Sequence, residues 1–143
     1  MSVQMLFLLL ISVVFPWAMA GTCPPPGEIS PYRCSDLGSE GFVVQLNCAH
    51  SNVDDDTATQ ILNKLISWPR VSPLRLLDFS FNRLTRVPTQ LPQFQMLNNI
   101  DLSNNQIISI ESNASNFSSS TLTSLSLSSN PITKIEEGAF QGI

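Results

Sequence analysis

Three cysteines, one histidine and a run of three aspartates are the residues of this 143-residue chain whose types and spacing could do chemistry. Cys23, Cys34 and Cys48 all lie in the first third of the chain, and His50 follows Cys48 by two residues. A structural zinc site takes four Cys or His ligands with tight pairing, and no close Cys pair is present. In an oxidising compartment the three cysteines read instead as disulfide candidates, and an odd count leaves one thiol over if the others pair within the chain. Asp54-Asp55-Asp56 could be read as a calcium site, yet the ligand spacing of a calcium loop is missing. A helix start, where carboxylates meet the positive end of the dipole, is the better account. Acid–base catalysis needs convergent titratable groups. The chain offers one histidine, no Gly-rich phosphate loop, no nucleophile elbow and no metal cluster. It reads as non-enzymatic, with no cofactor and no metal. Two sequons, Asn113-Ala114-Ser115 and Asn116-Phe117-Ser118, are candidate N-glycosylation sites in a Ser- and Asn-rich segment.

The first twenty residues read as a leader and not as fold. Leu6 to Phe15 is apolar apart from Ser12, and Ala18 and Ala20 occupy the small-residue positions of a signal-peptidase site. The segment before Leu6 carries no Lys or Arg, and the apolar run falls short of the roughly 20 residues of a membrane span. Cleavage after Ala20 is expected, giving a secreted, extracellular chain with no membrane span. Net charge is −4, with seven scattered Lys and Arg. Nucleic acid and anionic membrane surfaces are therefore unfavoured partners.

Apolar residues recur with a long period. Leu74, Leu77, Phe79, Asn82 and Leu84 form L-x-x-L-x-L-x-x-N-x-L. Leu97, Ile100, Leu102, Asn105 and Ile107 repeat it, and so do Leu122, Leu125, Leu127, Asn130 and Ile132. The asparagines step by 23 and then 25 residues, while Phe94, Phe117 and Phe140 step by 23 each time. Alternation at Leu77/Phe79, Ile100/Leu102 and Leu125/Leu127 predicts short strands with one buried face. Each Asn carries donors and an acceptor, so a stack of such residues can satisfy backbone groups where the chain leaves each strand. Val87, Leu91 and Phe94, then Ile110 and Phe117, then Ile135 and Phe140, are expected to fill the returning halves of the three units. No single unit can close a core; stacking supplies it.

This pattern resembles the leucine-rich-repeat family in its extracellular class of about 24 residues per repeat. The resemblance covers residue 74 onward. It implies an α/β solenoid: a horseshoe segment with a short parallel sheet on the concave face and a disulfide-stapled N-terminal cap. The segment from Cys23-Pro24-Pro25-Pro26 to Cys48 is similar to the cysteine-rich caps that precede such arrays. Those caps usually hold four cysteines, the second and third separated by one residue, paired first with third and second with fourth. Tyr32 stands where the second would be, so the resemblance implies a Cys23–Cys34 bridge and a free thiol at Cys48. Val44, Leu46 and Cys48 alternate, which suits Cys48 either as a small buried hydrophobe or as half of an intermolecular disulfide. The opening Cys-Pro-Pro-Pro-Gly-Glu-Ile-Ser-Pro also resembles arthropod proteins related to the non-catalytic subunit of oplophorus-luciferin 2-monooxygenase, which would imply a secreted, non-enzymatic repeat protein.

Four segments follow: a signal peptide over 1–20, the cap over 21–53, a helix and connection over 54–73, and about three repeats over 74–143. The helix rests on Ala58, Ile61, Leu62, Leu65 and Ile66 at helical spacing, ended by Pro69. In the family the variable strand positions form the concave surface, here Leu76, Asp78, Ser80, Asn99, Asp101, Ser103, Ser124, Ser126 and Ser128. These would meet a protein ligand or partner subunit, or else form a solvated sheet face; none is an aromatic or arginine anchor. Phe140 precedes Ile143 as Phe94 precedes Leu97, so Ile143 stands at the first position of a fourth strand, and a longer natural chain is expected. A protein-binding module, a non-catalytic subunit of a secreted enzyme complex, and the start of a membrane-receptor ectodomain all fit these residues.

Overall fold

A computed structural model describes residues 33–36, 44–67, 74–112 and 121–141, with backbone alone for 33–36 and Val44. The signal segment, Cys23 and both sequons, Asn113 and Asn116, lie outside the described residues.

Among the described residues, seven strands and one α-helix make the frame. β1 (Arg33–Asp36) runs antiparallel to β2 (Val44–Asn47). From β2 onward every pairing in the sheet is parallel: β2 with β3 (Leu74–Asp78), β3 with β4 (Asn99–Asp101), and β4 with β6 (Ser124–Ser126). The order is thus β1-β2-β3-β4-β6. On the opposite side of the coil, β5 (Ser109–Ile110) pairs in parallel with β7 (Lys134–Ile135). Parallel strands need long crossovers. Here the first is α1 (Asp55–Ser67) and the second contains one 3₁₀ turn (Leu91–Gln93).

α1 forms where the aspartates predict it. Asp54 precedes the first turn and accepts from the Thr57 amide at 2.9 Å and its hydroxyl at 2.6 Å, which is N-capping. These bonds, the hydroxyl's first, hold the Asp54 carboxyl below the usual carboxylate range, with the Arg83 charge assisting. Asp55 instead accepts from the Thr85 amide at 3.0 Å and bonds the Thr85 hydroxyl, tying the helix start to the first repeat. Two of the three aspartates therefore have structural partners, and no metal-binding group of three or more ligands occurs among the described residues. Ala58, Ile61, Leu62 and Leu65 are buried, whereas Ile66 faces outward at the edge of the apolar stripe.

One core runs the length of the stack. Leu46, Cys48, Val53, Leu74, Leu77, Phe79, Leu84, Leu97, Ile100, Leu102 and Ile107 are all 2 % exposed or less. Val87, Leu91, Phe94 and Ile110 fill the returning halves as their spacing predicts. The third repeat departs from expectation. Leu122, Leu125, Leu127 and Ile132 are only partly buried, Ile135 is 57 % and Phe140 41 % exposed, and Ala139 takes the buried place beside Phe140. Burial in a stack comes from both neighbours, and among the described residues the third repeat has a neighbour on one side only.

Candidate functional site

The strands leave their outward side chains in two rows across the sheet. Backbone register aligns Gln45, Leu76, Asn99 and Ser124 in one row, and Asn47, Asp78, Asp101 and Ser126 in the next. A shallow depression runs between them, lined by Gln45, Leu76, Asp78, Asn99, Asp101 and Ser124 among others. Leu76 is its one apolar member with an exposed side, and neither row holds a Lys or Arg.

The second row has a repeating local device. The Asn47 Oδ1 accepts from the Ala49 amide at 3.0 Å. Asp78 Oδ1 does the same for the Ser80 amide at 2.9 Å, and Asp101 Oδ1 for the Ser103 amide at 2.9 Å. These side chains turn the chain at each strand end. Ser80 also donates its hydroxyl to Asp78 at 2.7 Å. Held this way, Ser80 and Ser103 are 6 % and 7 % exposed. They are therefore withdrawn from the expected face, while Leu76, Asp78, Asn99, Asp101, Ser124, Ser126 and Ser128 remain on it.

The asparagines form the ladder that their spacing predicts. Asn82 Nδ2 donates to the carbonyls of Cys48, Phe79 and Ser80 at 2.8, 3.0 and 3.0 Å, and its Oδ1 accepts from the amides of Ser51 and Val53. Asn105 donates to Phe79, Leu102 and Ser103 and accepts from Leu84. Asn130 donates to Leu102, Leu127 and Ser128 and accepts from Ile107. Residues 121–143 match the family described as Leucine Rich Repeat. That segment is a leucine-rich repeat, and Asn82 and Asn105 head units with the same pattern. The mouse protein Tsukushi is 28 % identical over 110 residues, which make up 75 % of this chain but 30 % of that protein. The chain thus spans less than a third of the curated relative's length.

The same register also reaches back into residues 44–53, where the sequence pattern showed no repeat. Cys48 donates its amide to Asp78, as Phe79 does to Asp101 and Leu102 to Ser126. His50 donates to Ser80 as Phe81 does to Ser103 and Asn104 to Ser128. Val53 accepts from Arg83 as Leu84 does from Gln106. Residues 44–53 are therefore a degenerate repeat that precedes the first, with Cys48 at the position of Phe79 and Ser51 at that of Asn82, 31 residues earlier. The long step and the absent Asn hid it.

This register explains Cys48. Its thiol is free and fully buried, a core side chain behind the sheet. Burial, with the Asp78 charge adding to it, pushes the thiol far above the ordinary range, and only the thiolate reacts readily. Folded protein at pH 8 is accordingly expected to resist a maleimide at Cys48 for hours, and to be labelled there within minutes once urea unfolds it. Rapid labelling of Cys48 in the native state would contradict this packing. Of the two sequence readings the buried hydrophobe is the one that fits the geometry.

The register further shows an aromatic pair. His50 and Phe81 hold equivalent positions in successive repeats, and their rings stack with centroids 4.2 Å apart. Sequence reading placed no aromatic on the candidate face, because it took every second residue and stopped at Ser80. The signal that could have found Phe81 is its place directly before the ladder asparagine.

Proposed function

We propose that this chain is a secreted, non-enzymatic protein-binding module whose concave leucine-rich-repeat sheet carries the ligand site. The observation that carries the reading is the pair of cross-strand rows described above. They present side chains of short or medium length from a hydrogen-bonded backbone, so little conformational freedom is lost on binding. The leader-like segment 1–20 supports secretion, and among the described residues no helix is long and apolar enough to cross a membrane. No cofactor has a role in this reading.

A photo-crosslinking residue placed at Asn99, in the middle of the sheet, tests it. When the protein is mixed with the extracellular fluid of its source, that residue is expected to capture a discrete protein band. The same residue at Gln106, exposed beyond the strands, is expected to capture none. Equal capture at both positions, or none at Asn99, would remove the concave face from consideration.

The half-buried Leu125 and Leu127 favour a second reading, in which the module is one subunit of a larger secreted complex. A protein surface laid against β6 would complete their burial. A partner subunit of that kind would co-purify with the natural protein as a second, distinct polypeptide, and a natural protein that purifies as a single polypeptide would set this reading aside.

A further inference from the structure

His50 and Phe81 stand at the rim of the concave sheet with their ring planes 15° apart. Both are exposed, Phe81 by 49 %. Both backbones lie in the left-handed region, at φ 52° and 54°. The equivalent places one and two repeats further on hold Asn104 and Ser129 at φ 54° and 55°. Asparagine adopts this conformation readily, and a bulky side chain does so at a cost in strain. The fold therefore asks for a small polar residue here and receives a large ring, half in water. Strain kept at an exposed position is a mark of function.

The surroundings define what the ring would meet. Phe81 donates its amide to the Ser103 carbonyl at 3.0 Å, and the Ser103 amide is held by Asp101 at 2.9 Å. Asp78 and Asp101 end adjacent parallel strands in register. Each uses its Oδ1 on the serine two residues on, and neither Oδ2 takes a hydrogen bond from the described residues. The rows beside the pair hold no cation, and the whole chain carries a net charge of −4.

We propose that the His50–Phe81 stack is a docking platform for an arginine side chain of a protein partner, with Asp78 and Asp101 as its charge counterparts. A guanidinium is planar, so it can lie on the ring face while its edge donates to a carboxylate; an ammonium cannot do both as well. This rests on the concave-face reading and names the chemistry of the ligand. Loss of the arginine contact would leave the crosslinking result at Asn99 untouched, so the two can fail separately.

The test uses the whole secreted chain, an arginine hexapeptide, a lysine hexapeptide and calorimetric titration. The arginine peptide is expected to bind several-fold more tightly than the lysine peptide. Phe81→Asn, which installs the residue that the next repeat carries at this position, is expected to weaken arginine-peptide binding by about tenfold. Its thermal midpoint should stay level or rise. Phe81→Leu, apolar but ringless, should weaken binding equally. Equal affinity for the two peptides, no arginine binding, or unchanged binding by Phe81→Asn would each overturn the proposal. Failure of Phe81→Asn to fold would overturn it too, because the ring would then be a structural requirement.

Discussion

Replacing Asn82 by alanine is expected to lower the unfolding free energy by roughly 3–5 kcal/mol, the largest loss of any polar substitution in the described residues. Asn82 is nearly buried and satisfies five backbone groups: the carbonyls of Cys48, Phe79 and Ser80, and the amides of Ser51 and Val53. Alanine takes this partner from the Cys48 carbonyl and from the amides of Ser51 and Val53, while Phe79 keeps Asn105 and Ser80 keeps His50; each unsatisfied buried group costs about 1–3 kcal/mol, less whatever relaxation recovers. Asn82→Asp is the sharper variant. It keeps an acceptor for Ser51 and Val53 but turns a carboxylate toward three carbonyls that had a donor, so it should do no better than alanine. Asn130→Ala is the control. Asn130 makes the same kinds of bond from a half-exposed position, where water can replace it, and a loss of about 1–2 kcal/mol is expected. Urea denaturation of the three variants measures all of this, and equal losses at 82 and 130 would refute the ladder as a buried network.

Phe79→Ala is expected to cost about 3–5 kcal/mol, against about 1 kcal/mol for Leu127→Ala. The two residues hold the same repeat position, so local conformation is matched and only burial differs. Phe79 has no exposed surface and heads the fully buried side chains in volume. Its removal forfeits the transfer free energy of the ring and leaves a cavity between the cap and the second repeat that rigid neighbours cannot close. Leu127 is half-buried, so solvent fills the space that it leaves. A Leu127→Ala variant as damaged as Phe79→Ala would mean that the third repeat is covered in solution by something that the described residues do not include.

Sequence carried the parts of this fold that repeat. Asn82, Asn105 and Asn130 were legible because an amide that must satisfy both a donor and several carbonyls has no substitute, and its period survives all variation between. The strands were legible from alternation, and α1 from its aspartates and apolar stripe. Position within the stack was not legible. Ile135 and Phe140 have the same repeat positions as the buried Ile110 and Phe94, and what exposes them is that no following repeat stands beside them among the described residues, which no local pattern records. The cap's own repeat was hidden by substitution: Cys48 is an acceptable core side chain in place of Phe79, and Ser51 is an unremarkable residue without the ladder that reveals its place. On the candidate face, Ser80 and Ser103 matched the period but were drawn inward by Asp78 and Asp101. Phe81 faces out because the chain leaves strand geometry at φ 54°, where alternation no longer tells inside from outside.

Every rung of the asparagine ladder reaches backward. Asn105 gives the Leu84 amide its acceptor and adds a donor to the Phe79 carbonyl beside that of Asn82, and Asn130 gives the Ile107 amide its acceptor and adds a donor to Leu102 beside that of Asn105. A ribosome delivers this chain from the N-terminus, so the Leu84 and Ile107 amides emerge open and stay so until the next asparagine has been made. With a step of 23 residues from Asn82 to Asn105, that interval is about 1–5 s at ordinary rates of synthesis of roughly 5–20 residues per second. The nascent chain therefore folds one repeat behind its own translation. Pauses in decoding between asparagines would lengthen the time for which a half-finished sheet edge stays open to the wrong strand.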